Sequence, residues 1–201
     1  SDEIAGDDKK NIHADKATDY QALGTLLDES EAPRRLYYLA TLPSLYGKIC
    51  EQLQAAGVVN DLSGVVLEKP LGHDLLSCQK INEQVARVFA EEETFRIDHY
   101  LGKETVQNLL AVRFGNPLLS PMWRNTFVDN VQITVAEEIG VEGRADYYAK
   151  TGALRDMLQN HVLQVLSIVA MEPPTSLNAG DIRDEKMKVL RAFMPITAEN
   201  A

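Results

Sequence analysis

The chain has 201 residues, 45% hydrophobic and 25% charged, enough for one sizeable core or two smaller ones in an ordinary globular protein. Its net charge of −10 argues against general nucleic-acid binding. No window approaches the roughly 18 uninterrupted apolar residues of a membrane span, and no basic-then-apolar start reads as a secretory signal.

The charge is unevenly placed. Residues 1–32 hold nine acids against three lysines, a net −6, and residues 1–19 lack an apolar period, so they are expected to form a mobile acidic segment. Tyr20 to Asp28 then reads as a short helix. Leu36 to Thr41 is a compact apolar run of buried-strand type. Pro43 opens a helix through Ala56, which Gly57 stops. Leu62 to Glu68 is a second buried strand, and Asp74 is a good N-cap for a helix reaching about Glu92. Thr94 to Asp98 is a third short strand. This rhythm of strand and helix predicts βαβ units and a parallel sheet, with ligand groups at the carboxyl ends of the strands. Thr41, Lys69 with Pro70, and Asp98 with His99 fall there.

The second half changes style. Lys103 to Phe114 is expected to be helical and residues 116–125 a loop. Thr126 to Glu138 alternates as a strand with one wet face would. Arg144 to Met171 reads as one long helix and Asp181 to Phe193 as another. Since a single alternating strand cannot shield a sheet face, more strands are expected after Ala201. Cys50 and Cys78 lie far apart in predicted helices, as reduced thiols of a cytoplasmic protein would, and no cluster has metal-ligand spacing. A dinucleotide site should begin with a strand, a glycine-rich turn and a helix. Nothing of that kind precedes residue 36, and Gly140-Val141-Glu142-Gly143 is a weak substitute because Glu142 would repel phosphate.

The most informative segment runs from Arg96 to Glu104, Arg-Ile-Asp-His-Tyr-Leu-Gly-Lys-Glu. His99, Tyr100 and Lys103 can donate hydrogen bonds, Gly102 lets backbone come close, and the helix that follows offers unpaired N–H groups and a positive dipole end. It reads as a phosphate clamp, although a polar loop capping a surface helix would have a similar composition. With Thr105-Val106-Gln107-Asn108-Leu109 behind it, this run resembles the signature of the glucose-6-phosphate dehydrogenase family, most closely the bacterial members. Glu68-Lys69-Pro70-Leu71-Gly72, Glu142-Gly143-Arg144, Arg155 to His161 and Arg183 to Leu190 resemble the same family, in order, over roughly residues 20–195.

The resemblance implies the C-terminal half of a Rossmann-like parallel-sheet domain over 20–98, then the beginning of an α+β substrate domain over 99–201. The nucleotide fingerprint would lie before this region and further sheet after it, so the isolated chain is expected to be inactive. It implies an oxidoreductase that moves hydride from C1 of glucose 6-phosphate to NADP, with a cytoplasmic, homo-oligomeric parent enzyme and no metal. His161 alone, among Leu158, Val162, Leu163 and Val165, would read as a core histidine; the family's general base falls at this position. Such a base needs an unperturbed pKa near 6.5 and benefits from an orienting carboxylate. The family's dyad aspartate falls at Asp98, whose bland alternative is a strand-end acid capping the next helix. Asp156, five residues before His161, would sit about 140° round an α-helix and about 7.5 Å along it, too far for a dyad. The resemblance gives it a sugar hydroxyl instead, as it does Glu137, while Glu138 points to the opposite face and would be solvated.

Lys69 would touch both substrate and nicotinamide, with Pro70 following a cis bond beside the cofactor; taken alone, a lysine there could simply snorkel to water. Glu-Lys-Pro also occurs in the glucose-fructose oxidoreductase family, which stays open as an alternative, as does a non-catalytic interaction or scaffold fragment. One departure stands out. The family's paired prolines after the strand ending Leu39-Ala40 are here Leu42-Pro43, so slightly different packing is expected there.

Overall fold

The apolar runs of the first half form three short parallel strands, β1 (Leu36–Leu39), β2 (Gly64–Leu67) and β3 (Thr94–Arg96), in the order β1-β2-β3. Leu39 pairs with Leu67, and Leu67 with Arg96. β2 is central and buried throughout, which explains its unbroken apolar sequence. The structure, a computed structural model, describes residues 12–30, 33–136, 140, 145–194 and 197. Most of the expected acidic segment, Glu137, Glu138 and Glu142-Gly143-Arg144 therefore lie outside the described residues. Two compact units emerge, Ser1–Ile97 and Asp98–Ala201.

In the first unit, α1 (Ala17–Glu29), α2 (Tyr46–Ala55) and α3 (Leu75–Ala86) accompany the sheet. Its core joins Tyr20, Tyr46, Cys50, Leu53, Val65, Leu67, Val85 and Phe89. Each large apolar side chain so buried contributes about 1.5–3 kcal/mol. Burial also pushes the Cys50 thiol up to about 12, which keeps it protonated and inert. α1 starts at Ala17, inside the segment expected to be mobile. The Asp19 carboxylate accepts from the His13 N–H at 3.0 Å and meets its ring at 2.8 Å, and the buried Tyr20 anchors the first turn.

Several boundaries are shorter than the pattern predicts. Leu62 stays outside β2 because Asn60 makes a turn: its Oδ1 accepts the Leu62 N–H at 3.0 Å and its carbonyl the Ser63 N–H at 2.9 Å. Asp74 does cap α3. Its Oδ1 accepts the Ser77 N–H at 2.7 Å, and Ser77 Oγ accepts the Asp74 N–H at 3.0 Å. The helix ends at Ala86 rather than near Glu92, because Ala90 is extended and its N–H bonds Glu93 Oε2 at 2.9 Å, starting a separate 3-10 turn over Glu91–Glu93. Leu42 holds φ at −64°, the value a proline ring would impose, so its backbone would accommodate the first of the family's two prolines.

The second unit is helical: α4 (Glu104–Phe114), α5 (Ala145–Ala153), a π-helix (Leu154–Val162), α6 (Leu163–Ala170) and α7 (Ala179–Ala192). α4 and α7 pack against α6. Two expectations fail here. Residues 126–136 form no strand, and Phe127 and Val131 are exposed. Alternation marks a two-faced segment, but a strand also needs a neighbour for its backbone N–H and C=O groups, and no described residue pairs with this one. The single helix expected over 144–171 is also broken. Gly152 sits at φ +67°, a conformation L side chains rarely adopt, and the chain beyond it winds as a π-helix before α6.

Candidate active site

Two residues beyond β3 the chain enters a 3-10 turn, His99–Gly102, whose leading N–H groups need acceptors. Asp98 supplies one: its Oδ1 accepts the Tyr100 N–H at 3.0 Å. The same oxygen meets Nδ1 of His161 at 2.5 Å. The helix-capping contact and the His161 contact, read as alternatives from the sequence, are both made by one atom. The His161 side chain has no exposed surface and that of Asp98 keeps 13% of its own, so the contact is little screened by water. A carboxylate can only accept. Nδ1 therefore carries the hydrogen in this contact.

Two side chains of the same turn flank this ring. Tyr100 stacks on His161 with centroids 4.1 Å apart, and His99 stands edge-on at 4.5 Å. Lys103 places its ammonium 3.5 Å from the Tyr100 ring centroid. Space is open where a Cβ on Gly102 would project. Lys103 is also the N-cap of α4, whose start no side chain caps, and Glu104 in the first turn is an acid that would oppose an anion there.

The π-helix changes the place of Asp156. Its winding is seen in the Leu163 N–H bonding back to the Leu158 carbonyl and in Asn160 Nδ2 bonding the Arg155 carbonyl at 3.0 Å, both five residues back. Residues five apart come nearer one face here than in an α-helix, so the offset of about 140° expected from α geometry does not apply. Asp156 and His161 are both buried. The sequence missed this because an apolar period cannot distinguish the two windings.

It also missed two other residues. Lys186 of α7 donates to Gln164 Oε1, one turn beyond His161. Arg113 of α4 bonds the Ile168 carbonyl and, at 2.7 Å, the Met171 carbonyl at the end of α6, while Trp123 Nε1 bonds the Val169 carbonyl at 2.9 Å. For Arg113 the sequence signal was a basic residue on a helical face; Lys186 also lies in the family-like run Arg183 to Leu190, which carries no role by itself.

Asp98, His99 and His161 bring possible metal-ligand atoms within 4.8 Å of one another, a grouping hidden in the sequence by the 63 positions between the dyad partners. Because Asp98 Oδ1 already serves Nδ1 and the Tyr100 N–H, the arrangement reads as a hydrogen-bonded dyad.

Lys69 belongs to the first unit, where the Lys69–Pro70 peptide bond is cis. Glu68 before it takes the Tyr38 hydroxyl on its carboxylate and the Tyr46 hydroxyl on its carbonyl, at 3.0 Å for the latter, which pins the segment after β2. A pyrophosphate does not fit the turn that follows. A Cβ on Gly72 would lie 2.7 Å from the Cys78 nitrogen, so that glycine serves packing on α3, and Asp74 already occupies the helix N-terminus with a negative charge. Among the described residues of this unit, the turn after Pro70 therefore offers no phosphate cradle.

Comparison with known proteins gives a consistent result. The family model described as glucose-6-phosphate dehydrogenase, NAD binding domain, matches residues 8–108, and that described as the C-terminal domain of the same family matches 110–201. A glucose-6-phosphate 1-dehydrogenase of Mycolicibacterium smegmatis is 55% identical over 193 residues, covering 94% of this chain and 39% of the relative. One of Rhizobium meliloti is 50% identical with the same coverage. Among solved structures, a glucose-6-phosphate dehydrogenase in complex with its substrate glucose-6-phosphate is 41% identical with a TM-score of 0.84, covering 94% of this chain and 41% of that one. The chain thus spans about two fifths of the length of these relatives.

Proposed function

The chain belongs to the glucose-6-phosphate dehydrogenase family, and from that premise we propose that it serves in an enzyme that oxidises glucose 6-phosphate at C1, with NADP as acceptor, to 6-phosphogluconolactone. The observation that carries this reading is the Asp98–His161 contact at 2.5 Å. Removing hydride from C1 requires the hydroxyl proton on that carbon to leave, and Nε2 of a neutral imidazole oriented through Nδ1 is suited to take it. Hydride acceptance at the nicotinamide is the chemistry that NADP supplies when bound. Lys69 and Pro70 would contact it, and Lys69 would also contact the sugar; the support for both is the family resemblance.

His99, Tyr100 and Lys103 would hold the phosphate. Asp156 and Glu137 would orient the sugar hydroxyls, Glu137 on resemblance alone. The nicotinamide coenzyme is supported by the match to an NAD binding domain, and the choice of NADP over NAD is our reading. No helix among the described residues is long and apolar enough to cross a membrane; a cytoplasmic, homo-oligomeric parent enzyme is part of the same proposal.

The test is direct. In a full-length enzyme carrying these residues, glucose 6-phosphate and NADP should produce the absorbance of reduced nicotinamide, and His161→Gln should abolish it; an active His161→Gln enzyme would remove the base. Lys103→Ala should raise the KM for glucose 6-phosphate tenfold or more, order of magnitude, while kcat stays within about threefold, because a point charge on a non-reacting phosphate contributes mainly uniform binding. A collapsed kcat at unchanged KM would reassign Lys103. The 201 residues alone should give no reduction above background, since the turn after Pro70 does not suit a pyrophosphate; turnover by homogeneous chain would refute that.

A further inference from the structure

The family signature from Arg183 to Leu190 has no part in the scheme above, yet it places a cation near the dyad. α7 is fixed at its start by Asn178, whose side chain accepts the Asp181 N–H at 2.8 Å, and it packs on α6. On that packed face Lys186 is half-buried and donates to Gln164 Oε1. Gln164 stands three residues beyond His161, on the next turn of the same continuous helical segment. A lysine ammonium is strongly hydrated, and taking it out of water is unfavourable unless an opposite charge lies near. Gln164 is neutral and supplies none. The acid that acts on Lys186 is Asp98: burial pushes the ammonium down, the Asp98 carboxylate draws it back up, and Arg183 pushes it down again.

We propose that Lys186 is a positioning residue of this site: anchored on Gln164, its ammonium is the counter-charge that keeps Asp98 ionised and stops the Asp98–His161 pair from holding a proton too tightly. The inference rests on the reading of His161 as the base. A largely buried carboxylate facing a neutral imidazole has no charge partner within the dyad. With nothing else nearby it would draw a proton onto the pair, and the base would be unavailable near neutral pH. The other titratable or charged groups round the pair are His99, Tyr100 and Lys103 from the turn and the start of α4, Asp156 from the π-helix, and Arg183 from α7. Of these, Lys103 is exposed and leans on the Tyr100 ring, and Arg183 is exposed. Lys186 is the half-buried cation of the group.

The sign follows from charge. Removing a positive neighbour favours the protonated pair, so Lys186→Met should move the His161 titration up by about one pH unit, the scale for one unit charge acting through a protein's effective dielectric. The measurement is the pH titration of the His161 ring nitrogens by NMR in the 201-residue chain, assigned by loss of the signal in His161→Gln. Lys186→Arg, which keeps the charge, should restore most of the shift. Gln164→Leu, which keeps the charge but frees it, should give a smaller shift of the same sign and decides the matter if Lys186→Met does not fold. A His161 midpoint that stays put or falls in a folded variant overturns the inference. Activity of the full-length His161→Gln enzyme is read separately: a shifted midpoint with an active variant keeps the role of Lys186 and removes the base, and the reverse result does the opposite.

Discussion

Asp98→Asn in the full-length enzyme is expected to lower kcat by roughly 10³–10⁴-fold, with KM for glucose 6-phosphate changed only severalfold, the scale seen when a triad aspartate is made neutral. Two hydrogen bonds meet at one oxygen of Asp98. Oδ1 accepts both the Tyr100 N–H and His161 Nδ1. An asparagine can still offer its carbonyl to the Tyr100 N–H, so the 3-10 turn and the start of α4 should survive. The other half of the amide is a donor. Turned toward His161, it would stabilise the tautomer with the hydrogen on Nε2, the nitrogen proposed to take the sugar proton. The substitution also removes the negative charge that stabilises the imidazolium once the proton has arrived. Both effects fall on the chemical step and neither on phosphate binding. The comparison is steady-state kinetics with the melting temperature as a control. A fall of only a few fold in a normally folded variant would show that Asp98 is a cap and that another group orients His161.

The legible parts of the molecule are those in which a local rule and the tertiary outcome agree. β2 was readable because a central parallel strand is buried on both faces, and Val65 and Leu67 show it. α3 was readable at its start because Asp74 and Ser77 form a reciprocal cap and unreadable at its end because Glu93 builds a new turn on Ala90. Thr126 to Glu138, read as one strand, misled over its described part because an alternating pattern describes a face and not a partner. For the site, composition alone left His161 as a core residue, and it is fully buried. What distinguishes it from a core residue is Asp98, whose placement depends on a 3-10 turn that no periodicity encodes. Glu68-Lys69-Pro70, ambiguous between two sugar oxidoreductase families, lost its ambiguity only when the whole chain was compared. Lys186 was in plain view in the Arg183 to Leu190 run, but a lysine on an amphipathic helix carries no sign that it will face Gln164 rather than water.

Arg113→Ala should destabilise the second unit by about 3 kcal/mol or more, the cost of leaving buried carbonyl groups unpaired. Arg113 is 6% exposed, and its guanidinium closes the Ile168 and Met171 carbonyls, which the end of α6 leaves without intrahelical partners. Its ring neighbours add to the loss: Phe114 at 4.6 Å and Trp123 at 5.3 Å from the guanidinium carbon. One term opposes. Burial lowers the Arg113 pKa, and its Nε has no partner among the described residues, so truncation also relieves a desolvated charge. Two orphaned carbonyls at about 1–3 kcal/mol each, with the lost packing, outweigh that relief. Arg113→Lys keeps the charge but has no planar fork to reach two carbonyls at once, and it should recover less than half of the loss. Urea unfolding followed at Trp123, the only tryptophan, reads the effect where it arises, because its own Nε1 bonds the Val169 carbonyl between the two that Arg113 holds. If the midpoint does not move, the end of α6 is satisfied by water, and the arginine contributes nothing that the relief of its charge does not cancel. If it moves while the His161 titration does not, then Arg113 secures the far end of the helical segment and the Asp98 contact fixes the imidazole independently of it.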